Sequence, residues 1–123
     1  MTVYVDDAIW PFRDMLMCHM VADTLEELHA MANEIGMKRA AFQDAPKASH
    51  PHYDVSQERR ALALELGAVY VPAKVLSHAI VARRRLGNNG PLDVDAARRW
   101  FAANGISEHF GAARRRNAGC SAG

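Results

Sequence analysis

The chain has 123 residues, half of them hydrophobic, and a formal net charge of +1 at pH 7. That size fits one domain with its own core and excludes a multidomain architecture. No run approaches the roughly 20 apolar residues of a membrane-spanning helix, so no membrane partner is expected.

Thr2 to Asp6 reads as a buried strand that ends in acids. No basic or apolar leader precedes it, so no signal peptide is expected. Ala8 to Asp14, with Trp10-Pro11-Phe12, reads as a loop with apolar anchors, and Met15 to Val21 as a second apolar run of strand length. Asp23 with Glu26 forms a capping box ahead of the stripe Leu25, Leu28, Ala32, Ile35, which Gly36 closes. Ala40 to Gln43 is a candidate short strand, and Asp44 to Tyr53, with Pro46 and Pro51, a loop. Asp54 with Gln57 reads as a second capping box, opening a helix that closes at Gly67. Ala68 to Val71 is a short strand, and Pro72 starts a helix to Leu86. Gly87 to Pro91 is a break. Asp93 or Asp95 opens a last helix with Val94, Ala97 and Phe101 inward, ended by Gly105.

Alternating strands and helices predict a small α/β layered fold, a short, mostly parallel sheet with flanking helices. The expected organisation is a core domain over residues 1–86, a helical extension over 87–110 and a disordered basic tail over 111–123. From residue 83 onward eight Arg face three acidic residues, a net +5, which leaves −4 for the first 82. An acidic body with a basic C-terminal third fits a nucleic-acid partner; the plainer explanation is a solvated surface. Cys18 and Cys120, far apart in sequence, form no disulfide framework, and a reducing cytoplasm is the expected setting.

The residues with chemistry to offer concentrate in His50-Pro51-His52-Tyr53-Asp54, Asp6-Asp7 and Cys18-His19. His52 is the best candidate for general acid/base work, because only His titrates near neutrality unaided. His19 in an apolar run is either a satisfied core histidine or its partner. Asp6 and Asp7 can hold a divalent cation or divide acid and base roles, or simply cap a turn. Asp54 has a plain alternative as a helix N-cap, Tyr53 as packing, and Cys18 as a buried thiol that faces away from His19. His29 and Glu26 share a helix face, which makes His29 a supporting candidate. Arg60, early in its helix, can meet an anion such as phosphate. His50 has no clear role, and no cysteine or histidine pattern of a known metal site accompanies it.

These motifs, Val5-Asp6-Asp7, Cys18 to His29, Phe42-Gln43, Pro51 to Asp54, Arg60 to Ala63 and Leu66-Gly67-Ala68, occur in order. Together they make the chain resemble a small domain-of-unknown-function family of bacteria and their phages, over about residues 2–86. Two departures are Ala41, where the family often has Trp, and Arg59, where it often has Lys. The resemblance supports the site residues and implies no reaction.

The expectation is therefore a small cytosolic enzyme acting on an anionic, phosphate-bearing substrate, such as a nucleotide or nucleic-acid end. His52, His19, Asp7 and Asp54 would be catalytic; Arg60, Tyr53, Asp6 and His29 would bind substrate. The cofactor is unspecified, with a divalent cation the one the carboxylates admit. The alternative is a non-catalytic nucleic-acid-binding or regulatory module that uses the Arg-rich C-terminal third. A partner-binding adaptor is a third option.

Overall fold

Successive side chains of a strand point to opposite faces of a sheet, and one long strand organises this protein on that rule. The computed structural model describes residues 2–7, 9–88 and 90–109. Its longest strand, β3 (Met15–Ala22), pairs with three others. β2 (Trp10–Phe12) lies against its beginning, β4 (Tyr53–Val55) against its middle and β1 (Val3–Val5) against its end, all antiparallel. β5 (Val69–Tyr70) adds to β1 in parallel.

Both sheet faces are covered. Val3, Val5, Cys18, Met20, Ala22, Tyr53 and Val55 turn to one side. There they pack on Leu28 and Ala32 of α1 (Leu25–Glu34) and Ala63 of α2 (Gln57–Glu65). Tyr4 and Val21 turn to the other, beneath Val75, Leu76, Ala79 and Ile80 of α3 (Ala73–Arg84) and Ala97 and Phe101 of α4 (Val94–Ala103). The fold is thus a three-layer α/β domain, as the alternating pattern predicts.

The sheet is mixed, not mostly parallel: among the described residues only β1 and β5 run together. The difference arises at Trp10-Pro11-Phe12, expected as a loop. Proline lacks a ladder donor but is tolerated on a sheet edge, and the two-residue turn after Phe12, with Arg13 at φ 56°, folds β3 straight back. Tight turns join antiparallel strands, whereas parallel ones need a long crossover. Ala40 to Gln43 is not a strand: Arg39–Ala41 is a 3₁₀ turn, and Gln43 makes an isolated bridge to His52.

Two helix caps also differ. Thr24 caps α1, accepting from the Glu27 N–H at 3.2 Å and donating to the Glu27 carboxylate at 3.0 Å. Asp23 instead accepts from the backbone N–H groups of Thr2 and Leu92, tying both to the end of β3. Ser56, not Asp54, caps α2. Gly36 closes α1 at φ 82°, a conformation costly for a residue with a Cβ, and the Met37 N–H reaches back to the Ala32 carbonyl. Asp93 caps α4 as one of the two predicted acids.

Among the described residues no helix is long and apolar enough to cross a membrane. The predicted tail, residues 111–123, with Arg114, Arg115 and Arg116, lies outside the described residues.

Candidate functional site

Strand register assembles the centre of the site. His19 follows buried Cys18 on β3 and so faces the opposite side of the sheet. On one flank it is paired with Asp54 of β4. On the other, Val5 pairs with Met20, which brings Asp6 beside His19, and the Asp6 N–H donates to the His19 carbonyl at 3.2 Å. Paired side chains on neighbouring strands stand about 5 Å apart on one face. Asp6, His19 and Asp54 therefore form a row.

His19 Nδ1 lies 3.4 Å from Asp6 Oδ2, and His19 Nε2 lies 3.4 Å from Asp54 Oδ1. The bridge from Gln43 to His52 delivers a second imidazole, whose Nε2 is also 3.4 Å from Asp54 Oδ1. Despite these two neighbours, Asp54 Oδ1 is buried and has no aligned hydrogen-bond partner among the described residues. Gln43 holds the other oxygen, donating from Nε2 to Asp54 Oδ2 at 2.8 Å. The His50 carbonyl accepts from His52 Nδ1 at 3.0 Å. The rings are stacked as well: Trp10 on His19 at 4.7 Å, and His50 on His52 at 4.6 Å. Trp10 also donates from Nε1 to Asp6 Oδ2 at 3.3 Å, and the His19 N–H donates to Asp6 Oδ1 at 2.7 Å.

Electrostatics separate the members. Burial pushes the Asp6 carboxyl above its usual range, although His19 and Trp10 oppose it. Burial also pulls His52 down, but Asp54 and the His50 carbonyl outweigh it and its proton affinity rises. Asp54 is held low, chiefly by the neighbouring His52, with the Gln43 donor adding to the effect. Burial, then the charges of His52, His19, Arg83 and Arg84, drop His50 to about 4, so it is neutral at pH 7.

The other predicted residues lie elsewhere. Asp7 points to α3: it accepts from the Tyr70 hydroxyl at 2.6 Å and from the Ala73 N–H at 3.0 Å, serving as that helix's cap. Arg60 is buried, donates from Nε to the Asp6 carbonyl at 2.8 Å and lies over the Tyr70 ring. Tyr53 faces the opposite side of β4 from Asp54, and its hydroxyl meets His29 Nδ1 at 2.8 Å beside Phe42. Burial lowers the His29 proton affinity, and Arg39 adds to the effect. Among the C-terminal arginines Arg83 is buried and donates from Nη1 to the Ala22 carbonyl, so it belongs to no surface stripe.

Three contributors were not apparent from sequence as site residues. Trp10 sits in a stretch that reads as anchoring. Gln43 lies in the Phe42-Gln43 motif, which was the one signal available for it. His50 reads as incidental, although its spacing of two from His52 places both on one loop.

Chemically, two imidazoles and a carboxylate meeting at one point can pass protons or ligate a cation. The ligand atoms of His19, His52 and Asp54 lie within 4.8 Å of one another. No curated protein and no solved structure matches the chain. A family model does match residues 3–84, two thirds of the length, and those residues contain every member of the cluster. The chain therefore belongs to the family described as protein of unknown function DUF4031.

Proposed function

We propose that the protein is a small cytosolic enzyme that acts on an anionic, phosphate-bearing substrate such as a nucleotide or a nucleic-acid end. The observation that carries this reading is the meeting of His19 and His52 at a single oxygen of Asp54. A packing core gains nothing from two imidazoles aimed at one buried carboxylate oxygen, whereas acid/base or metal-assisted hydrolysis needs such groups within reach of each other. The sign of the surroundings supports an anion: Arg83 and Arg84, at the end of α3, place positive charge close enough to act on His50. Arg84 is exposed and supplies that charge at the surface. Arg60 has a different part, since its bond to the Asp6 carbonyl fixes the end of β1 on which Asp6 stands.

The test is a panel of phosphomonoesters and phosphodiesters, including p-nitrophenyl phosphate, bis-p-nitrophenyl phosphate and mononucleotides, each assayed with Mg²⁺, Mn²⁺ and Zn²⁺. Turnover by the native protein is expected to fall by about 10²-fold or more in Asp54→Asn and in His52→Ala, the scale of losing an acid/base group. Absence of turnover across the panel, or turnover that both variants retain, refutes the reading.

A further inference from the structure

We infer that His19 Nε2, His52 Nε2 and Asp54 Oδ1 together ligate one divalent transition-metal ion. The inference deepens the proposed function and rests on the same cluster, but it stands on separate geometry.

The protons in the cluster can be assigned from its hydrogen bonds. The His50 carbonyl only accepts, so the 3.0 Å contact requires the proton of neutral His52 to be on Nδ1. Asp6 Oδ2, which already accepts from Trp10, faces His19 Nδ1 at 3.4 Å and fixes that ring the same way. In both rings the bare lone pair is then on Nε2. Both Nε2 atoms lie 3.4 Å from Asp54 Oδ1, itself an acceptor, buried and without an aligned donor among the described residues. Gln43 occupies the other carboxylate oxygen and leaves this one. With both rings neutral, three electron-rich atoms thus converge with no hydrogen between them. A cation at their centre turns that repulsion into three bonds.

The spacing fits. Zinc bonded to nitrogen and oxygen at about 2.1 Å in tetrahedral geometry separates its ligands by about 3.4 Å. Each nitrogen lies 3.4 Å from the oxygen, the tetrahedral spacing, and the two nitrogens lie within 4.8 Å of each other, so binding draws the imidazoles together around the ion. Two imidazoles and one carboxylate select a first-row transition metal over Mg²⁺ or Ca²⁺, which prefer all-oxygen sites. Three protein ligands leave positions open to water and substrate, as catalytic sites require. Asp6 behind His19 and the His50 carbonyl behind His52 are the outer partners that orient metal-binding histidines. Asp6 is a positioning residue in this scheme.

The experiment takes the full chain, strips metals with a chelator and titrates it calorimetrically with Zn²⁺, Co²⁺ and Mg²⁺. One Zn²⁺ per chain is expected, with a raised melting temperature. Co²⁺ is expected to give visible absorption of four- or five-coordinate geometry, and Mg²⁺ to bind far more weakly. Asp54→Asn and His52→Gln should each weaken Zn²⁺ binding at least 100-fold, and Asp6→Asn by about 10-fold, the outer-partner range. Circular dichroism checks that each variant folds. If one does not, the native Co²⁺ spectrum decides, since a six-coordinate aqua-like spectrum overturns the site. Native-strength Zn²⁺ binding in a folded Asp54→Asn or His52→Gln protein also overturns it, as does Mg²⁺ binding equal to Zn²⁺. Tight Zn²⁺ binding without phosphoester turnover sinks the proposed enzyme and leaves the metal site. Turnover undiminished after metal removal sinks the metal site and leaves the enzyme.

Discussion

His52 shows how burial changes the meaning of a residue. Its sequence setting, between two prolines and a helix, predicts a loop side chain whose removal costs only about 0.5 kcal/mol, the surface range. It is instead 7 % exposed, bonded to the His50 carbonyl and bridged by its backbone to Gln43. His52→Ala should therefore lower stability by about 1–2 kcal/mol, because it removes a largely buried side chain and leaves the His50 carbonyl without its donor. Urea denaturation measures this; a loss under 0.5 kcal/mol would return the residue to the surface class. His29 carries a pH signature. Phe42, Tyr53 and the charge of Arg39 surround it, and burial holds its folded-state proton affinity below the unfolded value of about 6.5. Below that pH the unfolded chain takes up a proton that the folded one resists, so stability falls as pH falls. His50 acts in the same direction and His52 in the opposite one. Replacing His29 with Gln keeps a partner for the Tyr53 hydroxyl and removes one titrating group. Between pH 7.5 and 5.5 the variant should lose less stability than the native protein. Equal losses would show that His29 takes up its proton as readily folded as unfolded.

At the level of elements, helices were more legible than strands. The apolar stripe of α1 and the glycine after it were plain, as was the acid that caps α4. Where two polar residues adjoin, sequence does not say which one caps: Thr24 rather than Asp23, Ser56 rather than Asp54. The displaced acids carry long-range duties, Asp23 to Thr2 and Leu92, Asp54 to the histidines. Hence Ser56→Ala should destabilise by about 1 kcal/mol, the usual loss of an N-cap. Asp54→Asn should leave the helix content unchanged and affect only metal binding and turnover. The reverse pattern in thermal melts and circular dichroism would restore Asp54 as the cap. The strands β2 and β4 were hidden for one reason: each has three residues, and proline lies inside one and two residues before the other. The site inherits that difficulty. His19, Asp6 and Asp54 each stood out individually, but their meeting depends on which strands pair, a non-local fact that no single segment encodes.

For the whole molecule, the question is what belongs to the core. The family match ends at residue 84, yet Ala97 and Phe101 of α4 are buried with Val21, Val75 and Leu76. α4 therefore completes the cover of one sheet face. Phe101→Ala should cost about 3–5 kcal/mol, as for other large buried aromatics. A chain ending at residue 86 should be far less stable than one ending at residue 110. Calorimetry of the two truncations and of Phe101→Ala checks this, and equal melting temperatures would make α4 an ornament on a self-sufficient core.

The alternation along β3 means that a single eight-residue stretch is answerable to two masters. Cys18, Met20 and Ala22 lie in the buried core, while His19 between them sees two carboxylates. A saturation library over residues 15–22, scored once for cellular abundance and once for ligand capture, should split into two interleaved combs. Substitutions at Cys18 and Met20 should deplete the protein itself. Those at His19 should leave the protein present and silent. Insertion of one residue ahead of His19 exchanges the two sets, so that neither score survives.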